Sequence, residues 1–353
     1  MKVAEALSRV DRRPSGVDKG RLWSVILAGG EGRRLRPLVE RIHADGRPKQ
    51  FAVLLGSRSL LRQTLDRIGL AIPPERTVVV ATRAHRRFFG REFSGLGIAR
   101  LLVQPVDRGT AAGILLPARW IAGRDPEATV AFFPSDHYIR EDAAFMRRIL
   151  QIAELADRHP RRVFLVGARP DSPETDYGWI EPGEELGDPD VRRVTRFWEK
   201  PSADMAASCF ERGCLWNTFV LVGKVAAILE AGRAALPSVH EALLQVLPTS
   251  DPDFEAQSIE RAYSSLPTAN FSSDVLAALP GRLAVCALPP LTWSDWGTPE
   301  RVMETLRQEG LAPIGFEQRA PALALAGAAA APFTSAPRLP ISSGAACGAP
   351  APR

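Results

Sequence analysis

The sequence predicts an α/β protein, Rossmann-like, with a mostly parallel central sheet and a mixed sheet extension. Three observations predict it. Short, near-continuous apolar runs alternate with helical patterns from Leu22 to about Leu311, as expected of strands buried on both faces by crossover helices. The first run passes straight into glycines, VILAGGEGRRLRPL over 25–38, and a glycine turn after a buried strand offers backbone N–H groups to an anion. After Asp176 the alternation lapses and strand-like runs follow one another with fewer helices between them, which predicts an antiparallel or mixed addition.

Residues 1–20 are charged, lack the apolar core of a secretory signal, and read as a flexible arm. Strands are expected at 25–28, 77–81, 100–104, 129–133 and 163–167, with helices at 59–68, 110–121 and 142–156 between them. Further strands are expected at 177–181, 191–197 and 214–222, then helices at 239–246 and 254–264, a late strand at 283–288 and a final helix at 299–308. Residues 21–312 are expected to form one domain. From 313 to 353 the chain collapses to Ala, Pro, Gly and Ser. Such a segment buries too little apolar surface to offset its ordering entropy, so it reads as a disordered tail. A short Ala-rich helix over 323–331 is the alternative.

Composition narrows the function classes. A hydrophobic fraction of 45% and a charged fraction of 24% are those of a globular protein. A net charge of +5 without a dense basic cluster gives no nucleic-acid surface, and no apolar run approaches the roughly 20 residues of a membrane span. The four cysteines form neither a disulfide framework nor a zinc pattern, which makes a reducing cytoplasm the default compartment. Of 45 basic residues only five are lysine, at positions 2, 19, 49, 200 and 224. A lysine inside a motif is therefore less apt to be generic solvation.

The glycine loop excludes two familiar owners. Gly30-Glu31-Gly32 is followed by Arg33, Arg34 and Leu35, without the third glycine of a dinucleotide fingerprint. No lysine with Ser or Thr follows the last glycine, so it is not a P-loop. Leu35-Arg36-Pro37 is also a poor helix opening. Taken alone, the glycines could simply join two elements. Downstream, Arg47-Pro48-Lys49-Gln50-Phe51 adds fixed positive charge suited to a polyphosphate. In Gln104–Ala112, QPVDRGTAA, a glycine and threonine open a helix, fit either for a base edge or phosphate or for an ordinary N-cap by Thr110.

Three more stretches carry chemistry. Asp136, in Pro134-Ser135-Asp136-His137, follows an apolar strand and is a hard-oxygen donor suited to Mg²⁺, or else caps the next turn. His137 is no zinc ligand, because histidines 43, 85, 159 and 240 give no ligand spacing. In RFWEKP over 196–201, Glu199 can accept from hydroxyls and Lys200 can pair with a phosphate; the bland reading is an exposed pair before a proline turn. In Trp293-Ser294-Asp295-Trp296-Gly297 an acid stands between two tryptophans and needs a cation if buried.

In this order, with Tyr177-Gly178-Trp179-Ile180 and Leu215-Trp216-Asn217, the motifs resemble those of sugar-1-phosphate nucleotidyltransferases, particularly mannose-1-phosphate guanylyltransferases (GDP-mannose pyrophosphorylases), over roughly residues 22–310. The resemblance implies a glycosyltransferase-A-like catalytic domain within 21–312, with GTP and mannose 1-phosphate as substrates and Mg²⁺ as cofactor. It implies Arg34 and Lys49 as catalytic groups, and Gly29, Gly30, Gly32, Arg34, Lys49, Gly109 and Thr110 as nucleotide contacts. Gly178, Glu199, Lys200 and Asn217 would face the sugar phosphate, and Asp136 and Asp295 would hold the metal. Neither nucleic acid nor membrane is an expected partner; a homodimer is left open. The phosphomannose isomerase domain of bifunctional relatives is not expected.

The rival readings are the same chemistry with glucose 1-phosphate and UTP or dTTP, a non-catalytic nucleotide-sugar-binding regulatory protein, and, more distantly, an NAD-dependent dehydrogenase. Several positions depart from the family. Arg33 stands where Thr or Ser is usual, Gly109 where many members have Asn, and Thr218-Phe219 where Ser-Gly is usual. Of the family's Ser-x-Asp segment, Ser272-Ser273-Asp274 remains without its distal glutamate.

Overall fold

A computed structural model describes residues 21–311, apart from 189, 248 and 250. The expected arm at 1–20 and tail at 313–353 lie outside the described residues. The strands are β1 (Leu22–Ala28), β2 (Thr77–Thr82), β3 (Arg100–Gln104), β4 (Thr129–Pro134), β5 (Tyr138–Ile139), β6 (Val163–Ala168), β7 (Gly178–Glu185), β8 (Val191–Glu199), β9 (Leu215–Lys224), β10 (Leu283–Ala287) and β11 (Trp293–Ser294).

Nine of them form one sheet in the order β3-β2-β1-β4-β9-β6-β10-β8-β7, with β7 also paired to β9. The first four strands run parallel. Beyond them β9 lies antiparallel to both β4 and β6, and β7 and β8 pair antiparallel. This is the predicted parallel sheet with a mixed extension. The alternation of β1 shows why its sequence is continuously apolar. Val25 packs into a core with Ile114 and Leu115 of the Gly109–Ala122 helix. Ile26 faces the opposite core, with Leu61 of the Leu60–Ile68 helix and Ile149 of the Asp142–Arg158 helix. Both strand residues have 0% exposure, so each face of the sheet is sealed by helices.

The expected strands and helices all form, with ends displaced by a few residues. Four α-helices come in addition, one of them the short Phe89–Phe93 helix. The Arg36–Ile42 helix forms despite its opening, because Pro37 falls in the first turn, where a missing N–H leaves no hydrogen bond unmade. The Ala203–Glu211 helix starts at Ser202, whose side chain accepts from the Met205 N–H, a capping signal legible in the sequence. The Val225–Ala235 helix has no side-chain cap and follows β9 directly; the Val225 N–H donates to the Ala128 carbonyl at 2.9 Å.

The sheet order reverses between β1 and β4, which carry chain away to opposite sides. In open α/β sheets the crevice beyond the strand ends at such a point receives the ligand. Here Gly29 and Gly30 follow β1, and Ser135 and Asp136 follow β4. The two ends are tied together, since Ser135 donates from both N–H (3.3 Å) and Oγ (2.7 Å) to the Leu27 carbonyl.

Candidate active site

The glycine loop is held from behind. Gln50, 2% exposed, donates its amide to the carbonyls of Ala28 (2.9 Å) and Gly30 (2.8 Å). Gly32 adopts φ +60°, and a Cβ there would lie 2.6 Å from the Lys49 Cβ, so both conformation and close approach demand glycine. The loop thereby lies directly against the PKQF segment. Lys49 is 5% exposed; its Nζ pairs with Asp136 Oδ2 at 3.0 Å and donates to the Asp295 carbonyl. Arg34 pairs with Asp176 and lies 3.7 Å from Asp295 Oδ2. Arg33 turns outward to Glu31 at 2.7 Å, with its side chain 79% exposed, and takes no place in the cleft.

Asp136 and Asp295, separated by most of the chain, meet through a small second sheet. β5, just after Asp136, pairs antiparallel with β11, just before Asp295. Tyr138 stacks on the fully buried Trp296 at 4.7 Å, fixing the two turns against each other. The Asp295 Oδ1 accepts from Tyr177 (2.8 Å), the Gly297 N–H (2.9 Å) and Arg301 (3.3 Å). Burial would raise its pKa, but the positive charges of Lys49 and Arg301, with the Tyr177 hydrogen bond, hold it below the ordinary carboxylate value. Burial pushes His137 down to about 4, and its Nδ1 is sealed without a partner. It is a neutral packing group against Trp293 at 5.5 Å.

This donor set fits a magnesium ion. Among the described residues the Asp295 Oδ2 has only long polar contacts, at 3.5 Å to Arg301 and 3.7 Å to Arg34, and the partly exposed Asp136 carboxylate has Lys49 as its ion-pair partner. Among the described residues no cluster of three or more metal-ligating side chains occurs. Two carboxylates without a closed cage are what Mg²⁺ takes when substrate phosphates complete its shell.

A cleft of about 290 Å³ opens beside Asp136, lined by Gly29, Gly30, Gln104, Asp107, Gly109 and Thr110 among others. Thr110 does not cap the helix, which begins at Gly109 with Arg108 at the N-cap position. Its hydroxyl accepts from the Phe271 N–H (2.8 Å) and donates to Asn270 Oδ1 (3.3 Å), locking the helix start to the 269–271 segment. Gly109 has φ +81°, and a Cβ there would overlap the Ala269 carbonyl. The Phe219 ring also lines the cleft, from a backbone at φ +58°. That is the left-handed region, which accounts for the glycine usual in the family at this position.

The residues expected to face the sugar phosphate form a second cluster. Gly178 pairs across the sheet with Glu199, and a Cβ at 178 would sit 3.0 Å from Glu199 Oε2 and 3.3 Å from Asn217 Cβ. Tyr177 joins this cluster to the aspartates: its ring packs on Trp216 at 4.8 Å while its hydroxyl reaches Asp295. Lys200 is exposed at φ +47°, and its ammonium pairs with no carboxylate among the described residues. The structure thus joins every expected site residue except Lys200 into two adjoining clusters.

Four contributors escaped the sequence reading. Gln50 and Tyr177 lay inside quoted motifs. Asp176 lay beside one. Arg301, on the Pro299–Gln308 helix, had no motif; it binds Glu174 at 2.6 Å, approaches Asp176 at 3.7 Å and Asp295 at 3.3 Å, and lies over the Tyr177 ring at 4.4 Å.

Known proteins resemble this chain in sequence, and one solved structure resembles it in fold. A Thermus thermophilus protein named mannose-1-phosphate geranyltransferase superposes with a TM-score of 0.69 at 32% identity, over 80% of this chain and 79% of that one. The mannose-1-phosphate guanylyltransferase of Sinorhizobium fredii (strain NBRC 101917 / NGR234) is 30% identical over 321 residues, covering 87% of this chain and 60% of that protein. The xanthan biosynthesis protein XanB of Xanthomonas campestris pv. campestris (strain B100) is 29% identical over 292 residues, covering 81% and 60%. The chain therefore spans about 60% of the length of these curated relatives. Among the described residues no helix is long and apolar enough to cross a membrane. The nucleotidyl transferase family model matches residues 23–309, and the chain belongs to that family.

Proposed function

We propose that the chain catalyses GTP + α-D-mannose 1-phosphate → GDP-mannose + pyrophosphate. The observation that carries this reading is Lys49, buried beside the glycine loop, with its ammonium on Asp136 and on the Asp295 backbone. That puts a fixed positive charge where a triphosphate entering over Gly29 and Gly30 would lie. An oxygen of the sugar phosphate attacks the α-phosphorus in line, the α–β phosphoanhydride bond breaks, and pyrophosphate leaves with the electron pair. The attacking oxygen is already ionised at neutral pH, so the protein needs no general base. Lys49 and Arg34 stabilise charge on the triphosphate, Glu199 and Asn217 orient the sugar hydroxyls, and Lys200 steers the sugar phosphate. Asp136 and Asp295 would hold Mg²⁺, which would supply neutralisation of the phosphate charge. Positioning and electrostatics carry such a reaction. The name of the Sinorhizobium relative supports guanosine and mannose as the pair, and that of the Thermus structure supports mannose 1-phosphate.

A pyrophosphate-release screen of four NTPs against several sugar 1-phosphates, with Mg²⁺, tests it. GTP with mannose 1-phosphate is expected to be fastest. Preference for UTP or dTTP with glucose 1-phosphate would reassign the substrates, and no release from any pair would leave a nucleotide-sugar-binding regulatory protein.

A further inference from the structure

Two polar side chains, Gln104 and Asp107, line the cleft beside the glycine loop, and each is held by a hydrogen bond. Gln104, the last residue of β3, is 4% exposed, and its Oε1 accepts from the Tyr263 hydroxyl at 2.8 Å. Tyr263 is itself buried on the Pro252–Ser265 helix, and its hydroxyl has no other hydrogen-bond partner among the described residues. Burial keeps the phenol protonated, so its one proton goes to Oε1 and fixes which way round the amide lies. The Gln104 amide therefore presents NH₂ to the cleft, on the Gly29 side: a Cβ at Gly29 would lie 3.1 Å from Nε2.

Three residues on, Asp107 lines the same cleft. Its Oδ1 accepts the Gly109 N–H at 2.8 Å, which holds the carboxylate in place, and its Oδ2 has no hydrogen-bond partner among the described residues. The cleft thus offers an amide donor on the buried Gln104 and an anionic acceptor on the exposed Asp107, with Val80 and Gly113 also in its lining.

We infer that Gln104 and Asp107 together read guanine, and that Tyr263 is the positioning residue that sets the direction of the reading. This rests on the reaction proposed above. The Watson–Crick edge of guanine presents an O6 acceptor next to N1–H and N2–H₂ donors. Gln104 NH₂ donates to O6, and the free side of Asp107 accepts from N1–H and N2–H₂. Adenine opposes both groups, with an amine facing the amide and a lone pair facing the carboxylate; cytosine does the same. Uracil and thymine satisfy Gln104 and offer one N–H, but bring a carbonyl oxygen toward the carboxylate in place of the second donor. A site built around hydrogen bonds discriminates strongly against a base that leaves them unmade.

Inosine triphosphate isolates the carboxylate, because it lacks only the 2-amino group of GTP. Steady-state pyrophosphate release is measured for GTP, ITP and ATP with wild type, Asp107→Asn and Tyr263→Phe. Wild type is expected to prefer GTP over ITP by about tenfold or more in kcat/KM, the scale of a hydrogen bond to a charged group. Asp107→Asn keeps an acceptor for Gly109 but turns the free oxygen into a donor, so the GTP-over-ITP ratio should fall to near one. Tyr263→Phe releases the amide and should raise the KM for GTP more than it changes kcat, while narrowing GTP over ATP. Thermal melts of both variants separate these effects from loss of fold. An active wild-type enzyme with a GTP/ITP ratio near one, or a ratio unchanged by Asp107→Asn, would overturn the inference and leave the reaction standing. Absence of release from GTP by the wild type would instead overturn the reaction.

Discussion

Lys49 is buried where solvent cannot dilute its charge, and its removal should act on chemistry more than on folding. Its ion-pair partner Asp136 is 28% exposed and would be hydrated once unpaired. Lys49→Met is therefore expected to lower kcat by roughly 10²-fold or more, the scale of losing a preorganised electrostatic group, with little change in the melting temperature. Arg301 is the converse. It holds Glu174, approaches Asp176 and Asp295, and replacing it with Leu leaves three neighbouring carboxylates opposed only by Arg34 and Lys49. We expect a loss of about 1–3 kcal/mol in urea unfolding. Lys49 was legible because so few lysines occur in the chain; Arg301 was not, because one arginine among 40 carries no mark. Glu199 supplies a pH dependence. Burial raises its pKa, opposed by the Lys200 charge and a Ser272 hydrogen bond. A raised carboxyl pKa means the folded state binds the proton more tightly than the unfolded chain. Its contribution to stability thus grows as pH falls from above the folded value toward the unfolded one. Sugar binding runs the other way, since the acceptor must be ionised. The KM for the sugar 1-phosphate should rise on acidification, and rise less in Glu199→Gln, where the titration of the substrate's own phosphate remains.

At the scale of elements, the sheet was the legible part and the short connections were not. Each parallel strand is apolar on both faces, and that pattern survives without knowledge of its partners. β5 and β11 have two residues each, too short for periodicity to detect, yet they bring Asp136 and Asp295 to one site. Thr110 shows a local signal overridden by a distant one. Its place at a helix start suggested a cap, but its hydroxyl serves the 269–271 segment instead. The same clamp makes Gly109 sensitive. Gly109→Ala must adopt a left-handed backbone and push into the Ala269 carbonyl. We expect at least about 1–2 kcal/mol of destabilisation in chemical denaturation, with the KM for GTP rising because the helix start that lines the cleft is displaced.

Over the whole molecule, the site is assembled from both halves of the sheet. The parallel strands β1 and β4 deliver the glycine loop and Asp136, while β7, β8 and β9 deliver Gly178, Glu199 and Asn217. β9 lies antiparallel between β4 and β6, so β7, β8 and β9 are continuous with the parallel strands in one hydrogen-bonded sheet. The last site element is the Pro299–Gln308 helix, which brings Arg301 to Asp295, and the family match closes at residue 309. Every group given a role in the reaction thus lies between Gly29 and Arg301. A chain cut to residues 21–312 is accordingly predicted to fold and to keep pyrophosphate release within about twofold of the full chain, since it retains every group given a role above. The measurement is kcat/KM for GTP and mannose 1-phosphate in both chains, together with their thermal melts. A cut chain that melts normally but has lost turnover would place a catalytic or substrate contact in the segments outside 21–312.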